Sequence, residues 1–419
     1  MASGNRKVTR RGFLASSAAA AGGLAVVPRH VLGGQGQVPP SETFGSALVG
    51  CGGRGPGTHG DLKGRHGLHT RCLAACDVHL GRARAFQKRA GPSCEAYQDF
   101  RRVVERKDIE VVAIATPPHW HALISIACME AGKDVVCEKP ATRFVAEGRA
   151  LADAEQRYGR VYQVGTYGRF GMSRKENNRK MRKLMTSGLL NPCRGRYVHR
   201  GGLKVKQWSG RLDVAPRHVP EALDWDLYCG PSPLKPFHPP RHGGTHRWYW
   251  DYEGGGLGDM GHHKFDPVTW LFGKDETAPV KIEAHAPPAH PEVAGMWGWV
   301  RLTYADGFEI VIESGEWGEP TGLESVRPSA DDLSEKDKKK LDDLPDPEPC
   351  VGFGEAVKTR QKAGGHAEAA HRTACVMHLA NIAVRTGRTI HFDPVKEVVV
   401  GDAEANRLAH EPMRAPWHL

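Results

Sequence analysis

Residues 46–55 read Ser46-Ala-Leu-Val-Gly50-Cys51-Gly52-Gly53-Arg54-Gly55, a short apolar run that stops abruptly in glycines. An apolar run of this kind, ended by a turn, suits a strand buried on both faces of a parallel sheet. The glycines satisfy G-x-G-x-x-G at Gly50, Gly52 and Gly55. The first permits a tight turn, the second lets backbone approach a pyrophosphate, and the third lets the following helix pack closely on the strand. The phosphates then sit at the helix N-terminus, where backbone N–H groups lack partners. Gly53 and Arg54 belong to the same turn and count with it as candidate cofactor-binding residues.

Outward from this turn the pattern repeats as strand, helix, strand. Thr70–Cys76 is apolar and ends at Asp77, near the distance expected for the acidic residue that hydrogen-bonds the adenosine ribose. A carboxylate there repels a 2′-phosphate and so favours NAD over NADP, although Arg82 and Arg84 follow closely and leave room for NADP. Glu110–Thr116 reads as a buried strand, Pro117-Pro118-His119-Trp120-His121 as the turn at its end, and 122–131 as a helix stopped by Gly132. Asp134–Pro140 is the next strand and its edge. Ligands of open α/β sheets bind outside the carboxyl ends of the strands. Thr116, Pro117, His119, His121, Glu138 and Lys139 are therefore expected to face the cofactor. His119 and His121 also fit an H-x-H metal pair, but no Cys or carboxylate cluster accompanies them, and no metal is expected. These features predict an NAD(P)-binding Rossmann domain over residues 44–166, with a doubly wound parallel sheet.

Two further stretches bear on chemistry: Glu138-Lys139-Pro140, and Gly254-Gly-Gly-Leu-Gly-Asp259-Met-Gly-His-His263-Lys-Phe-Asp266. Asp259 and His263 are four apart, so on a helix they share a face. A carboxylate beside an imidazole raises its basicity and orients it for taking a proton from an alcohol. An ammonium at a strand end can stabilise a developing alkoxide. With the glycine turn in front and Arg388-Thr-Ile-His-Phe-Asp393 near the end, these stretches resemble the glucose–fructose oxidoreductase / inositol dehydrogenase (Gfo/Idh/MocA) family over nearly the whole chain. The resemblance implies hydride transfer between a sugar, polyol or glycoside hydroxyl carbon and a nicotinamide cofactor. It also implies a catalytic set of Lys139, Asp259 and His263, with His263 as base, Asp259 as its partner or a substrate ligand, and Lys139 as the polarising group. The spacing D-x-x-x-H selects His263 over the adjacent His262. Some relatives cleave glycosides by transient C3 oxidation and elimination with recycled NAD, which stands as the alternative activity. Homo-oligomerisation through the C-terminal sheet is a further implication.

Strand-like alternation at 194–200, 280–286, 296–304 and 308–314 predicts a second, α+β domain over 167–419, built on a large, mostly antiparallel open sheet. Residues 160–166 read as a strand crossing out of the first domain, Ser173–Ser187 as a basic helix whose cations form a solvated face or attract an anionic glycan or sugar acid, 325–350 as a surface loop or lid, and His366–Gly387 as a closing helix. Trp208, Trp225, Trp248, Tyr249, Trp250 and Tyr252 divide between core packing and flat faces for a pyranose ring.

The chain has 419 residues, 40% hydrophobic and 25% charged, as in a globular protein with room for two domains. Thr9-Arg10-Arg11-Gly12-Phe13-Leu14 and the Ala-rich stretch to Val27 resemble a twin-arginine (Tat) export signal, so residues 1–43 are read as signal peptide and linker and the protein as periplasmic or otherwise extracytoplasmic. The segment before residue 35 carries five basic residues and no acidic one, and its removal halves the net charge of +10. What remains is an ordinary surface charge, so no nucleic-acid partner is expected. No membrane span is expected after residue 40. The ten cysteines contain no C-x-x-C pair and mostly lie in apolar stretches, as small buried hydrophobes do. The expected partner is a small-molecule carbohydrate.

Overall fold

The computed structural model describes residues 42–203 and 212–419. The twin-arginine segment and Trp208 lie outside the described residues.

Strands β1 (Thr43–Val49), β2 (His69–Cys76), β3 (Glu95–Tyr97), β4 (Val111–Ile114), β5 (Asp134–Cys137) and β6 (Tyr162–Val164) form a sheet in the order β3-β2-β1-β4-β5-β6. β1 pairs β4, β4 pairs β5, and β5 pairs β6, all parallel. The order reverses direction between β1 and β4, and at such a point a crevice opens at the carboxyl ends of the strands. Register fixes what enters it. Val49 lies opposite Ile114, and Ile114 opposite Cys137. The residues that follow, Gly50, Ala115 and Glu138, therefore leave the sheet at one level. Helices α1 (Gly55–Gly64), α2 (Leu80–Ala90), α3 (His121–Glu130) and α4 (Val145–Tyr158) connect the strands. Leu48, Val112, Ile114 and Val135 are fully buried, each contributing roughly 1.5–3 kcal/mol by leaving water. The segment expected to cross out of this domain instead completes its sheet as the edge strand β6.

The second sheet runs β12-β11-β8-β9-β10-β7, from β7 (Arg196–Arg200), β8 (Lys281–His285), β9 (Trp299–Thr303), β10 (Glu309–Glu313), β11 (Ile390–Asp393) and β12 (Val398–Val399). It is antiparallel except that β10 and β7 are parallel. Its inner face packs on α6 (Gly255–Leu271) and α7 (Ala367–Thr386) in one core with Ile282, Leu302, Ile310, Phe265 and Met377. The long helix α7 also packs on α4 and so bridges both halves. Its fit against α6 depends on Gly261, where a Cβ would stand 2.7 Å from Met377 Sδ.

Several local expectations shift. The basic helix starts later, as α5 (Glu176–Thr186). Its cations are partly spoken for: Arg182 donates to the Trp270 carbonyl and pairs Asp275, and Lys183 pairs Asp346. The 325–350 loop contains an exposed helix at 335–343. All cysteines except the half-buried Cys350 are buried. Among the described residues no helix is long and apolar enough to cross a membrane, and no cluster of three or more His, Cys, Asp or Glu could hold a metal.

Candidate active site

A cleft of about 450 Å³ opens at the crevice between β1 and β4. Of the residues expected from sequence, Gly50, Gly52, Gly53, Arg54, Asp77, Thr116, Pro117, Glu138, Lys139 and Asp259 line it. Strands β1, β2, β4 and β5 deliver the first nine, and α6 delivers Asp259 from the second half.

The glycine turn behaves as its spacing requires. Gly50 has φ +91°, and a Cβ there would lie 2.5 Å from the Ala115 carbonyl carbon. A Cβ on Gly55 would lie 2.0 Å from Gly50 O, so α1 could not seat on β1. Gly52 is different, because among the described residues only Arg82 Nη1, 3.9 Å away, comes near its missing Cβ. The backbone at Gly52 is thus open to the cleft that this turn lines. Arg54 and Thr58 tie the turn to β5, through Arg54 Nε and Thr58 Oγ1 donating to Glu138 Oε1 at 2.7 and 2.8 Å.

Asp77 accepts from Cys51 N and His79 N, both at 2.8 Å. Burial raises its pKa, opposed by those N–H donors and by Arg82. It does not cap α2, which begins at Leu80. Its carboxylate braces the glycine turn and lines the cleft.

His119 and His121 correct the expectation that they face the cofactor. Neither lines the cleft, and both are buried. His119 Nε2 lies 2.8 Å from the Tyr228 carbonyl oxygen. The His121 ring sits between two carbonyl oxygens, with Nε2 2.8 Å from Thr116 O and Nδ1 2.7 Å from Pro140 O. Burial depresses both imidazoles. A turn directly after a strand can aim side chains into the cleft or back under it. Here Pro117, Pro118 and Trp120 take the cleft side. His121 thus ties the backbone after β4 to the residue directly following Lys139.

Lys139 Nζ donates to Asp259 Oδ1 at 2.7 Å and to Asp259 O at 2.6 Å. Arg247 Nε donates to the same Oδ1 at 2.8 Å. Burial opposes charge on Asp259, but Lys139 and then Arg247 outweigh it and hold the carboxyl below its ordinary range. His263 lies one turn further along α6 and is solvent-exposed, outside the cleft lining. Partial desolvation and then the Lys139 charge lower its pKa, with Glu138 and Asp259 acting the other way. The carboxylate expected beside it bonds Lys139 and Arg247 instead, so Asp259 reaches His263 through the field and not through a hydrogen bond. His262 is fully buried, and neither ring nitrogen has a partner among the described residues. That leaves the exposed His263 as the imidazole open to solvent.

Of the aromatic residues expected to divide between core and sugar faces, none of the described ones lines the cleft. Trp225, Tyr249, Trp250 and Tyr252 are buried, and three of them join a core cluster with Tyr228 and Phe237. The polar neighbours of that run, His242, His246, Arg247 and Glu253, line the cleft instead. Sequence reasoning missed them because the aromatic residues dominate the stretch. The available signal was Glu253, standing directly before the glycine run.

A family model described as "Oxidoreductase family, NAD-binding Rossmann fold" matches residues 44–166, and one described as "Oxidoreductase family, C-terminal alpha/beta domain" matches residues 174–419. An inositol 2-dehydrogenase of Salmonella typhimurium is 34% identical over 99 residues, 23% of this chain and 30% of that protein. A levoglucosan dehydrogenase of Pseudarthrobacter phenanthrenivorans is 36% identical over 111 residues, 26% of each. The matched stretch thus spans less than a third of either curated relative. Among solved structures, the WlbA dehydrogenase from Bordetella pertussis in complex with NADH and UDP-GlcNAcA has a TM-score of 0.54 at 15% identity, covering 84% of this chain and 99% of that one. At that identity the likeness is one of fold.

Proposed function

The chain belongs to the Gfo/Idh/MocA family of oxidoreductases, and from that premise we propose that it moves a hydride between a hydroxyl-bearing carbon of a sugar, polyol or glycoside and a nicotinamide dinucleotide. The observation that carries this reading is the Lys139–Asp259 pair, set at the end of a cleft continuous with the glycine turn. The close contacts at Gly50 and Gly55, the open space over Gly52 and the carboxylate of Asp77 together fit a dinucleotide. A bound nicotinamide supplies the hydride acceptor or donor.

The chain's own residues do the rest. Lys139 has spent Nζ donors on Asp259, and its remaining N–H stabilises negative charge on the reacting oxygen. Asp259 keeps Lys139 and Arg247 from repelling each other. By the family resemblance His263, one turn beyond Asp259 on α6 and with its imidazole biased toward the neutral form, takes the alcohol proton, which requires its exposed ring to turn into the cleft. NAD is the preferred cofactor, because Asp77 would stand against a 2′-phosphate, with Arg82 the lining cation that acts on that carboxylate. Export through residues 9–14 is part of the same proposal, and a folded, cofactor-loaded enzyme suits that route.

The test is to denature purified protein, identify any released nucleotide, and then assay a panel of sugars, polyols and glycosides for reduced nicotinamide. Substrate-dependent reduction supports the reading. Aglycone release without net reduction would assign the redox-assisted glycosidase activity in its place. No dinucleotide binding at all would end both.

A further inference from the structure

We propose that Glu253 is a second substrate-holding carboxylate of this cleft, gripping a hydroxyl next to the one held at Lys139 and so selecting substrates with adjacent hydroxyls. The proposal rests on the function proposed above and deepens it.

Glu253 is 3% exposed and lines the cleft together with Asp259. Its Oε2 lies 3.4 Å from His246 Nε2 and 4.0 Å from Arg247 Nε. Its Oε1 is buried and has no hydrogen-bond partner among the described residues. A buried carboxylate oxygen left bare costs free energy, and native proteins rarely leave one without a reason. The surroundings hold this one in place. The His246 ring is anchored by Nδ1–H donating to the Gly243 carbonyl. Gly258, in the first turn of α6, makes room, since a Cβ there would stand 3.3 Å from Glu253 Cγ. Asn381 of α7 donates to Gly254 O at 3.1 Å and pins the backbone directly after Glu253.

Charge decides what fills the gap. The cations at this end of the cleft, Lys139 and Arg247, are already committed to Asp259. The carboxylates and cations roughly balance, so the unmet need is a neutral O–H donor and not a further ion. Arg247 Nε stands between the two carboxylates, 2.8 Å from Asp259 Oδ1 and 4.0 Å from Glu253 Oε2. A sugar or cyclitol ring with its reacting hydroxyl at Lys139 would then offer the neighbouring hydroxyl to the Glu253 carboxylate, which lines the same cleft. A site built to hydrogen-bond a hydroxyl rejects the analogue that lacks it, because its buried group is then left unpaired.

The experiment compares wild type, Glu253→Gln and Glu253→Ala on an active polyol or sugar and on its monodeoxy analogues, with NADH affinity titrated in parallel. The expected result is a fall in kcat/KM of roughly 10- to 100-fold in Glu253→Gln, carried mainly by KM, with NADH affinity unchanged. Wild type should discriminate against the one analogue lacking the neighbouring hydroxyl, and Glu253→Ala should lose that discrimination. An active wild type whose Glu253→Ala variant keeps the same discrimination overturns the proposal alone. A wild type that turns over no hydroxylated substrate overturns the function proposed above, and this proposal with it.

Discussion

Three side chains carry the proposed chemistry, and each owes its state to a neighbour. Lys139 is held by Asp259 through two contacts under 2.8 Å, so its ammonium is aimed and not merely present. Lys139→Ala should lower kcat/KM by roughly 10²–10³-fold, as loss of an oxyanion-stabilising donor does, while NADH titration shows intact binding. His263 should behave differently. Partial desolvation and the Lys139 charge lower its pKa from an ordinary value near 6.5. A base must be neutral to act, so activity should be full above pH 6.5 and fall only as pH drops through the lowered value. In pH profiles of kcat/KM, an acid limb centred above pH 6.5 would remove His263 as the base. Lys139→Ala should move that limb upward, because the charge that depresses His263 is gone.

At the scale of elements, the site is a meeting of strand ends with one helix. Register brings Gly50, Ala115 and Glu138 off the sheet at one level, and α1 seats on β1 because Gly55 has no side chain. Gly55→Ala places a Cβ 2.0 Å from Gly50 O, which forces α1 away from the turn. NADH affinity should fall by at least about tenfold, and the protein should lose on the order of 1–3 kcal/mol, the usual cost of overpacking. Gly60→Ala is the contrasting change on the same helix. Among the described residues nothing lies within 4 Å of its missing Cβ, so denaturant unfolding should show a gain of about 0.5–1 kcal/mol with NADH binding intact. Equal effects from the two would mean that close packing is not what Gly55 provides.

The whole molecule depends on α7, which bridges the two halves and is clamped by charge. Glu397 accepts from His371 Nε2 at 3.0 Å and pairs with Arg149 of α4 at 2.8 Å and Arg372 of α7 at 2.9 Å. Burial works against the charged form, yet His371 and then Arg149 outweigh it and hold the Glu397 pKa down at about 2. A depressed carboxylate stabilises the fold above its unfolded pKa near 4.5, and that stability is lost as pH falls toward 2. Thermal melts across pH should therefore show Tm declining below about pH 4.5. Glu397→Gln should lower Tm at neutral pH and flatten the acid decline. A variant with the same acid slope as wild type would show that other carboxylates govern it.

Much of this architecture is legible locally. The apolar run into Gly50, the carboxylate ending β2, the Lys139 strand end and the four-residue step from Asp259 to His263 are short-range patterns, and turn sterics and helical period act at short range. Four strands of the second sheet show in alternation for the same reason. What only the tertiary structure decided is where side chains point. His119 and His121 turn under the cleft, Tyr249 and Tyr252 go into the core, and Glu253 and Arg247 come out to line the site, although all lie in stretches the sequence marks as interesting. Nothing local tells one side of a turn from the other. The choice is made by partners far along the chain: the Tyr228 carbonyl for His119, α7 for the backbone after Glu253, and for Lys139 an aspartate 120 residues away. Periodicity can say that a residue lies on a face, but only packing says which element that face meets.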